Sequence, residues 1–170
     1  MRKLTSDQAI REIEEALQNV PVPEGSGPEP IAPDEWRRLA REVGLLVMLP
    51  ADRRWFLPQI MLDFLRRPDE PDTVFDIHQL LSELNVAYRP DPEEYEQEAA
   101  EWGRQRTEGR RRIHERLMAE YEESYRSFSP TEAGAIVAFL EAVRDQVGHE
   151  VALRDWTRAH EYWGRRAAAQ

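Results

Sequence analysis

The sequence predicts an all-α fold, a helical bundle of about six or seven helices. Three observations lead there. Apolar residues recur at three- and four-residue spacing along most of the chain. No segment alternates with period two for long enough to make a strand. Charged residues make up 33% of the sequence beside 41% hydrophobic ones, as expected when each amphipathic helix keeps one solvated face. At 170 residues the chain can bury a real core, so residues 1–170 are read as a single helical domain. No internal repeat is visible.

Residues 5–19 form the first expected helix. Thr5 or Ser6 can cap it, and Ile10, Ile13, Leu17 and Val20 make its apolar stripe. Residues 20–33, VPVPEGSGPEPIAP, are a Pro/Gly linker that can be neither regular helix nor central strand. Asp34 opens a second helix with Trp36, Leu39, Val43 and Leu46 or Val47 on one face. Pro50 starts a turn of helix. Pro58 is expected to break or kink it, because proline lacks an N–H and clashes with the preceding turn. Ile60, Met61, Phe64 and Leu65 follow as a strongly apolar face, and RRPDEPD ends the segment. Residues 73–84 make a short helix with Val74, Ile77, Leu80, Leu81 and Leu84 inside.

Residues 91–128 are helical by propensity, but their apolar stripe is thin: Tyr95, Ala99, Trp102, a gap, then Ile113, Leu117 and Tyr121. Gly103 and Gly109 each weaken the middle by about 1 kcal/mol relative to alanine. One unbroken helix over 91–126 would run about 54 Å, longer than a compact bundle of this size accommodates. The expectation is one long, polar helix that either protrudes or breaks at Gly103 or Gly109, with residues 103–112 exposed in both cases. SPTEAGAIVAFLEAVRDQVG is the clearest helix. Ser129 caps it, Pro130 takes the first helical position, and Glu132 completes a capping box. Ile136, Phe139, Leu140, Val143 and Val147 form the buried face, and Gly148 is placed to stop it. A last helix over 150–164 carries Ala152, Trp156, Ala159 and Trp163 on one stripe, and 165–170 is read as a frayed tail.

Function is approached first by exclusion. The chain has no cysteine, which removes disulfides, thiolate catalysis and zinc–thiolate sites. His78, His114, His149 and His160 include no H-x-x-x-H pair, and none follows a glutamate by three positions, so no zinc-peptidase or di-iron signature is present. They read as surface or capping histidines. There is no phosphate-binding G-x-x-x-x-G-K-S/T, no G-x-G-x-x-G and no G-x-S-x-G. Ser82, Ser124 and Ser127 have no recognisable base beside them. The expectation is therefore no catalytic residues, no cofactor and no metal. The longest apolar run, GLLVMLP, is too short to span a bilayer, and the N-terminus shows no apolar signal segment. The expected location is the cytoplasm.

The formal net charge is −10, from 33 acids and 23 bases. It disfavours nucleic acid and anionic membrane as partners and is compatible with a basic protein partner, although it also simply keeps a chain soluble. Within this acidic chain, RQRTEGRRRIHER holds six arginines: Arg104, Arg106, Arg110, Arg111, Arg112 and Arg116. On a helix, Glu108 faces Arg111 and Arg112, Arg112 faces Glu115, Arg116 faces Glu120, and Glu122 faces Arg126. Residues 91–101 carry six acids and no base. This acid–base–acid pattern suits a solvated, self-paired helix. No aromatic interleaves with the arginines, as nucleobase stacking would need. The second reading is a protein-contact surface made by the six arginines, with a homodimer also open.

Two stretches, LPADRRWFLPQIMLDFLRRPD and FSPTEAGAIVAFLEAVRD followed by HEYW, resemble an uncharacterised family of small bacterial helical proteins, a domain of unknown function. The matching residues are Phe56, Leu57, Pro58, Pro130, Glu132, Ile136, Phe139, Leu140, Tyr162 and Trp163. The resemblance implies only a small helical domain of unknown function, and the arginine cluster inherits nothing from it. The expectation for function is a non-catalytic helical interaction protein, in its sharpest form an inhibitor- or immunity-type protein toward a basic partner. The alternative is an enzyme or small-ligand-binding protein with a pocket among Trp36, Trp55, Trp156 and Trp163.

Overall fold

The computed structural model describes residues 4–18, 20–21, 50–67, 77–85, 92–148 and 150–169. The expected helix beginning at Asp34, most of the Pro/Gly linker and the start of the helix over 73–84 lie outside them. Among the described residues all regular structure is helical. The helices are α1 (Ser6–Leu17), α2 (Pro50–Arg66), α3 (Ile77–Leu84), α4 (Pro92–Trp102), α5 (Arg104–Tyr125), α6 (Pro130–Val143) and α7 (Glu150–Ala167), with a 3-10 turn at Arg144–Gln146 after α6.

The core is organised around α6. Ser129 caps it as the sequence implies: the Glu132 N–H donates to Ser129 Oγ at 3.2 Å, and the Ser129 N–H donates to Glu132 Oε2 at 2.7 Å. Ala133, Ala135, Ile136, Ala138, Phe139, Leu140 and Val143 are all buried. A helix apolar on nearly every side belongs in the middle of a bundle, and α6 packs against both α1 and α7. It ends at Val143, short of Gly148, by tightening into the 3-10 turn, after which Val147 is again buried.

Thr5, not Ser6, caps α1, because the partner three residues on is Gln8. The Thr5 N–H donates to Gln8 Oε1 at 3.0 Å and the Gln8 N–H to Thr5 Oγ1 at 3.3 Å. The fully buried line is Ala9, Ile13 and Ala16, with Ile10 and Leu17 at its edge. The buried face is thus rotated from the expected stripe, and α1 packs against α6.

Pro58 does not break α2, which is helical from Pro50 to Arg66. Proline inside a helix costs about 3 kcal/mol. Leu57, Ile60, Met61, Leu62, Phe64 and Leu65 around it are buried, and each buried side chain of that size contributes about 1.5–3 kcal/mol. Burial on this scale decides in favour of the helix. Two arginines tie α2 to its neighbours. Arg53 is buried, hydrogen-bonds Ser124 Oγ and lies 5.1 Å from the Tyr125 ring centroid, which joins α2 to the end of α5. Arg54 donates from Nε and Nη2 to the two oxygens of Glu132, each at 2.8 Å.

Glu132 thus serves as cap and as ion-pair partner. Burial pushes its carboxyl up, but the Arg54 guanidinium and the Ser129 N–H and hydroxyl outweigh that and hold it below its ordinary value of 4.5. Removing one member of a buried pair costs more than the pair contributes net, because the other is left uncompensated. Glu132→Gln keeps the shape and one acceptor, so the expected loss is about 1–3 kcal/mol in a denaturant titration. A carboxyl lowered on folding stabilises above its unfolded value, and that contribution is lost as pH falls through the folded one. Wild-type stability should therefore drop below about pH 4.5 more steeply than that of Glu132→Gln. Parallel pH profiles would show that the carboxylate is not charged against Arg54.

The second half of the core is aromatic. Ala152, Trp156, Ala159 and Trp163 are buried along α7, as their spacing implies. Trp156 donates its indole N–H to the Leu140 carbonyl at 2.7 Å, and Trp163 donates to the Leu84 carbonyl at 2.9 Å. α7 runs to Ala167, into the stretch read as a frayed tail. Arg166 explains the extension: its Nη2 donates to the carbonyls of Arg126 and Phe128 at 3.1 and 3.2 Å, where α5 ends.

Candidate functional site

The segment that carries the arginines is built from α4 and α5. Gly103 separates them with φ 87° and ψ 139°, a left-handed conformation that glycine adopts freely. It is the one positive-φ residue among those described. The Gly103 N–H still donates to the Ala99 carbonyl at 3.1 Å, and the Gly103 carbonyl accepts from the Thr107 N–H at 3.2 Å. One helix therefore ends and the next begins on a single residue. Of the two glycines, Gly103 makes the break, whereas Gly109 lies inside α5.

α5 is anchored at its far end. Tyr125 and Phe128 are buried, and the Tyr125 hydroxyl donates to the Glu83 carbonyl at 3.4 Å. Towards its start, the described side chains between Gly103 and Arg112 are exposed except two: Glu108 is half-buried and Thr107 is buried. Thr107 corrects the expectation that 103–112 is exposed throughout. Its hydroxyl donates to the Gly103 carbonyl at 3.2 Å, so it turns inward to close the bend. Trp102 and Ile113, expected on the apolar stripe, are instead 41% and 55% exposed, and Ala99 is the stripe residue seen buried. The side chains of Tyr95, Leu117 and Tyr121 lie outside the described residues.

All six arginines are exposed. Glu108 meets Arg111 at 2.9 Å and Arg112 at 3.2 Å, and Arg116 meets Glu120 at 3.8 Å, as the spacing implies. Two pairs differ from expectation. Glu115 lies 3.8 Å from Arg111 instead of Arg112, and Arg126 lies 2.6 Å from Glu123. In both cases the neighbouring i,i+4 or i,i+3 geometry takes the place of the other. Arg104 reaches back across the bend to Glu96 at 3.2 Å.

Sequence reasoning missed the aromatic partner. The Arg110 guanidinium stands 4.4 Å from the Trp102 ring centroid and that of Arg106 stands 5.8 Å away, within reach of cation–π attraction. Positions 102, 106 and 110 stand at helical i, i+4, i+8 spacing, but Gly103 interrupts the helix directly after the tryptophan. The available signal was a tryptophan directly before a glycine able to bend the helix. Arg110→Gln, Arg111→Gln and Arg112→Gln combined should change stability by less than about 1 kcal/mol, because exposed pairs contribute little. A loss of several kcal/mol in denaturant would mean that the cluster is part of the fold.

The other candidate positions resolve differently. Trp156 and Trp163 fill the core and Trp55 packs edge to face on Phe56 with centroids 4.9 Å apart, while Trp36 lies outside the described residues. His160 is half-buried, not on the surface: it stacks on Trp156 at 4.8 Å, and its Nε2 is 3.5 Å from Glu141 Oε1. His78 is exposed, and the side chains of His114 and His149 are outside the described residues. Among the described residues no three His, Asp or Glu side chains are grouped to hold a metal ion, and no helix is long and apolar enough to cross a membrane. Comparison with known proteins gives no match: no family model, no curated protein and no solved structure aligns significantly with the chain.

Proposed function

We propose that this chain is a non-catalytic interaction protein and that the bent α4–α5 arm is its contact surface. One observation carries the reading. The exposed large hydrophobic residues among those described, Trp102 and Ile113, both lie on this arm and share it with the six exposed arginines. Tryptophan and arginine are enriched among the residues that dominate binding at protein interfaces. The body of the molecule is occupied differently, since Trp156, Trp163, Glu132 and Arg166 are spent on caps and packing. The net charge of −10 favours a basic partner, the chemistry of an inhibitor- or immunity-type protein. The exposed acids Glu96 and Glu101 would meet that partner's cations, and the arginines beside them would meet acids within the same partner.

The test uses the full chain. Wild type and Arg110→Glu/Arg111→Glu/Arg112→Glu are used for affinity capture, and each captured protein is purified and titrated calorimetrically. The expected result is a protein bound by wild type, with salt-dependent affinity that the variant weakens. Equal affinity for wild type and variant would remove the arm from the interface. Turnover of a substrate by the purified chain would overturn the non-catalytic reading.

A further inference from the structure

The arm has a polarity that a partner of one charge sign would leave half opposed. Residues 91–101 carry six acids and no base, residues 104–116 carry six arginines against two glutamates, and Gly103 lies at the boundary. Whatever satisfies the first half repels the second. A surface of reversed polarity satisfies both, and the chain itself supplies one. We infer that a second copy of this chain docks on the arm, forming a twofold dimer in which α4 of each copy lies along the first half of α5 of the other. The inference rests on the reading of the arm as a contact surface.

A half-turn about the bisector of the bend exchanges the directions of α4 and α5, so a twofold axis there sets each helix beside its electrostatic complement. Pairing centred on Gly103 brings Glu96 opposite Arg110 of the second copy and sets Glu101 one position from facing Arg106, and all four positions are exposed. Trp102 then falls beside the axis, where it is used twice. Arg110 and Arg106 already reach across the bend to the Trp102 ring, and the ion pair that spans it, Glu96–Arg104 at 3.2 Å, is 59% and 77% exposed. Such a pair is weakly held and does not compete with pairing in a drier interface.

Sedimentation equilibrium of the purified full chain, across micromolar concentrations and at low and high salt, tests this. Two charge-reversed variants accompany wild type: Arg106→Glu/Arg110→Glu and Glu96→Arg/Glu101→Arg. Circular dichroism of each checks that the helices are retained. Wild type should dimerise, and each variant alone should associate at least about tenfold more weakly, since like charges now face each other twice. Mixing the two variants should restore association, with native mass spectrometry reading a heterodimer. Trp102→Ala should weaken the wild-type dimer without loss of helix. A wild type that stays monomeric overturns the inference, as do variants that dimerise like wild type or fail to pair when mixed. A monomer that still binds a purified heterologous protein through the arm would sink the dimer alone. Loss of neither interaction on charge reversal would sink the contact-surface reading as well.

Discussion

Phe139→Ala is expected to lower the free energy of unfolding by about 3–5 kcal/mol, the usual cost of deleting a buried aromatic ring. Phe139 is fully buried on α6, and its ring meets that of Phe64 on α2 edge to face, with centroids 6.0 Å apart. The cost of such a truncation depends on how far the surroundings collapse into the space. Here α6 is held between α1 and α7 and capped at its start, so it has little freedom to shift. The loss should therefore approach the upper half of the range. Ile113→Ala supplies the contrast: with the side chain 55% exposed, its effect should stay within about 0.5 kcal/mol. Chemical denaturation of both variants decides. A loss under 1 kcal/mol for Phe139→Ala would place the buried face of α6 elsewhere.

What was legible in the sequence was local. The α6 start could be read from Ser129, Pro130 and Glu132 because a capping box is a three-residue device. The stripe Ala152, Trp156, Ala159 and Trp163 could be read because helical periodicity is a four-residue device. What was illegible joins distant positions. Glu132 was visible as a cap but not as the partner of Arg54, which lies 78 positions earlier. The Trp163 bond to the Leu84 carbonyl spans 79 positions. The arm shows both cases. Its salt bridges at i,i+3 and i,i+4 were largely foreseen, whereas the Trp102–Arg110 contact depends on a backbone turn at Gly103. Gly103 and Gly109 are equal in propensity, so propensity could not choose between them. At Gly109 the helix is bridged from Glu108 to Arg111 and Arg112, which favours continuity there. Pro58 taught the reverse lesson: a strong local breaker was overruled by the buried residues on both sides of it.

Trp163→Ala is expected to be as damaging as any single change in the chain, at about 3–5 kcal/mol for the lost ring. Its indole is fully buried and meets Tyr125, Phe128 and Tyr162, with centroids 5.3, 5.6 and 5.2 Å away. Its N–H also satisfies the carbonyl of Leu84, the last residue of α3. Truncation removes the ring and leaves that carbonyl without its donor, and a buried group so orphaned costs about 1–3 kcal/mol more. Trp163→Phe separates the two effects: it keeps most of the ring and loses the donor, so a loss of about 1–3 kcal/mol is expected. The consequence reaches the proposed contact surface. Tyr125 and Phe128 fix the end of α5, and Trp163 is the ring they share. Hydrogen exchange in Trp163→Ala should quicken at residues 124–128, while the exposed helix over 104–116 changes little, because its own pairs and backbone bonds hold it. Unfolding curves for the two variants, with exchange measured under native conditions, test both parts. If Trp163→Ala and Trp163→Phe cost the same, the ring contributes little, and the anchor of the arm must be sought in Arg53 and Arg166 instead.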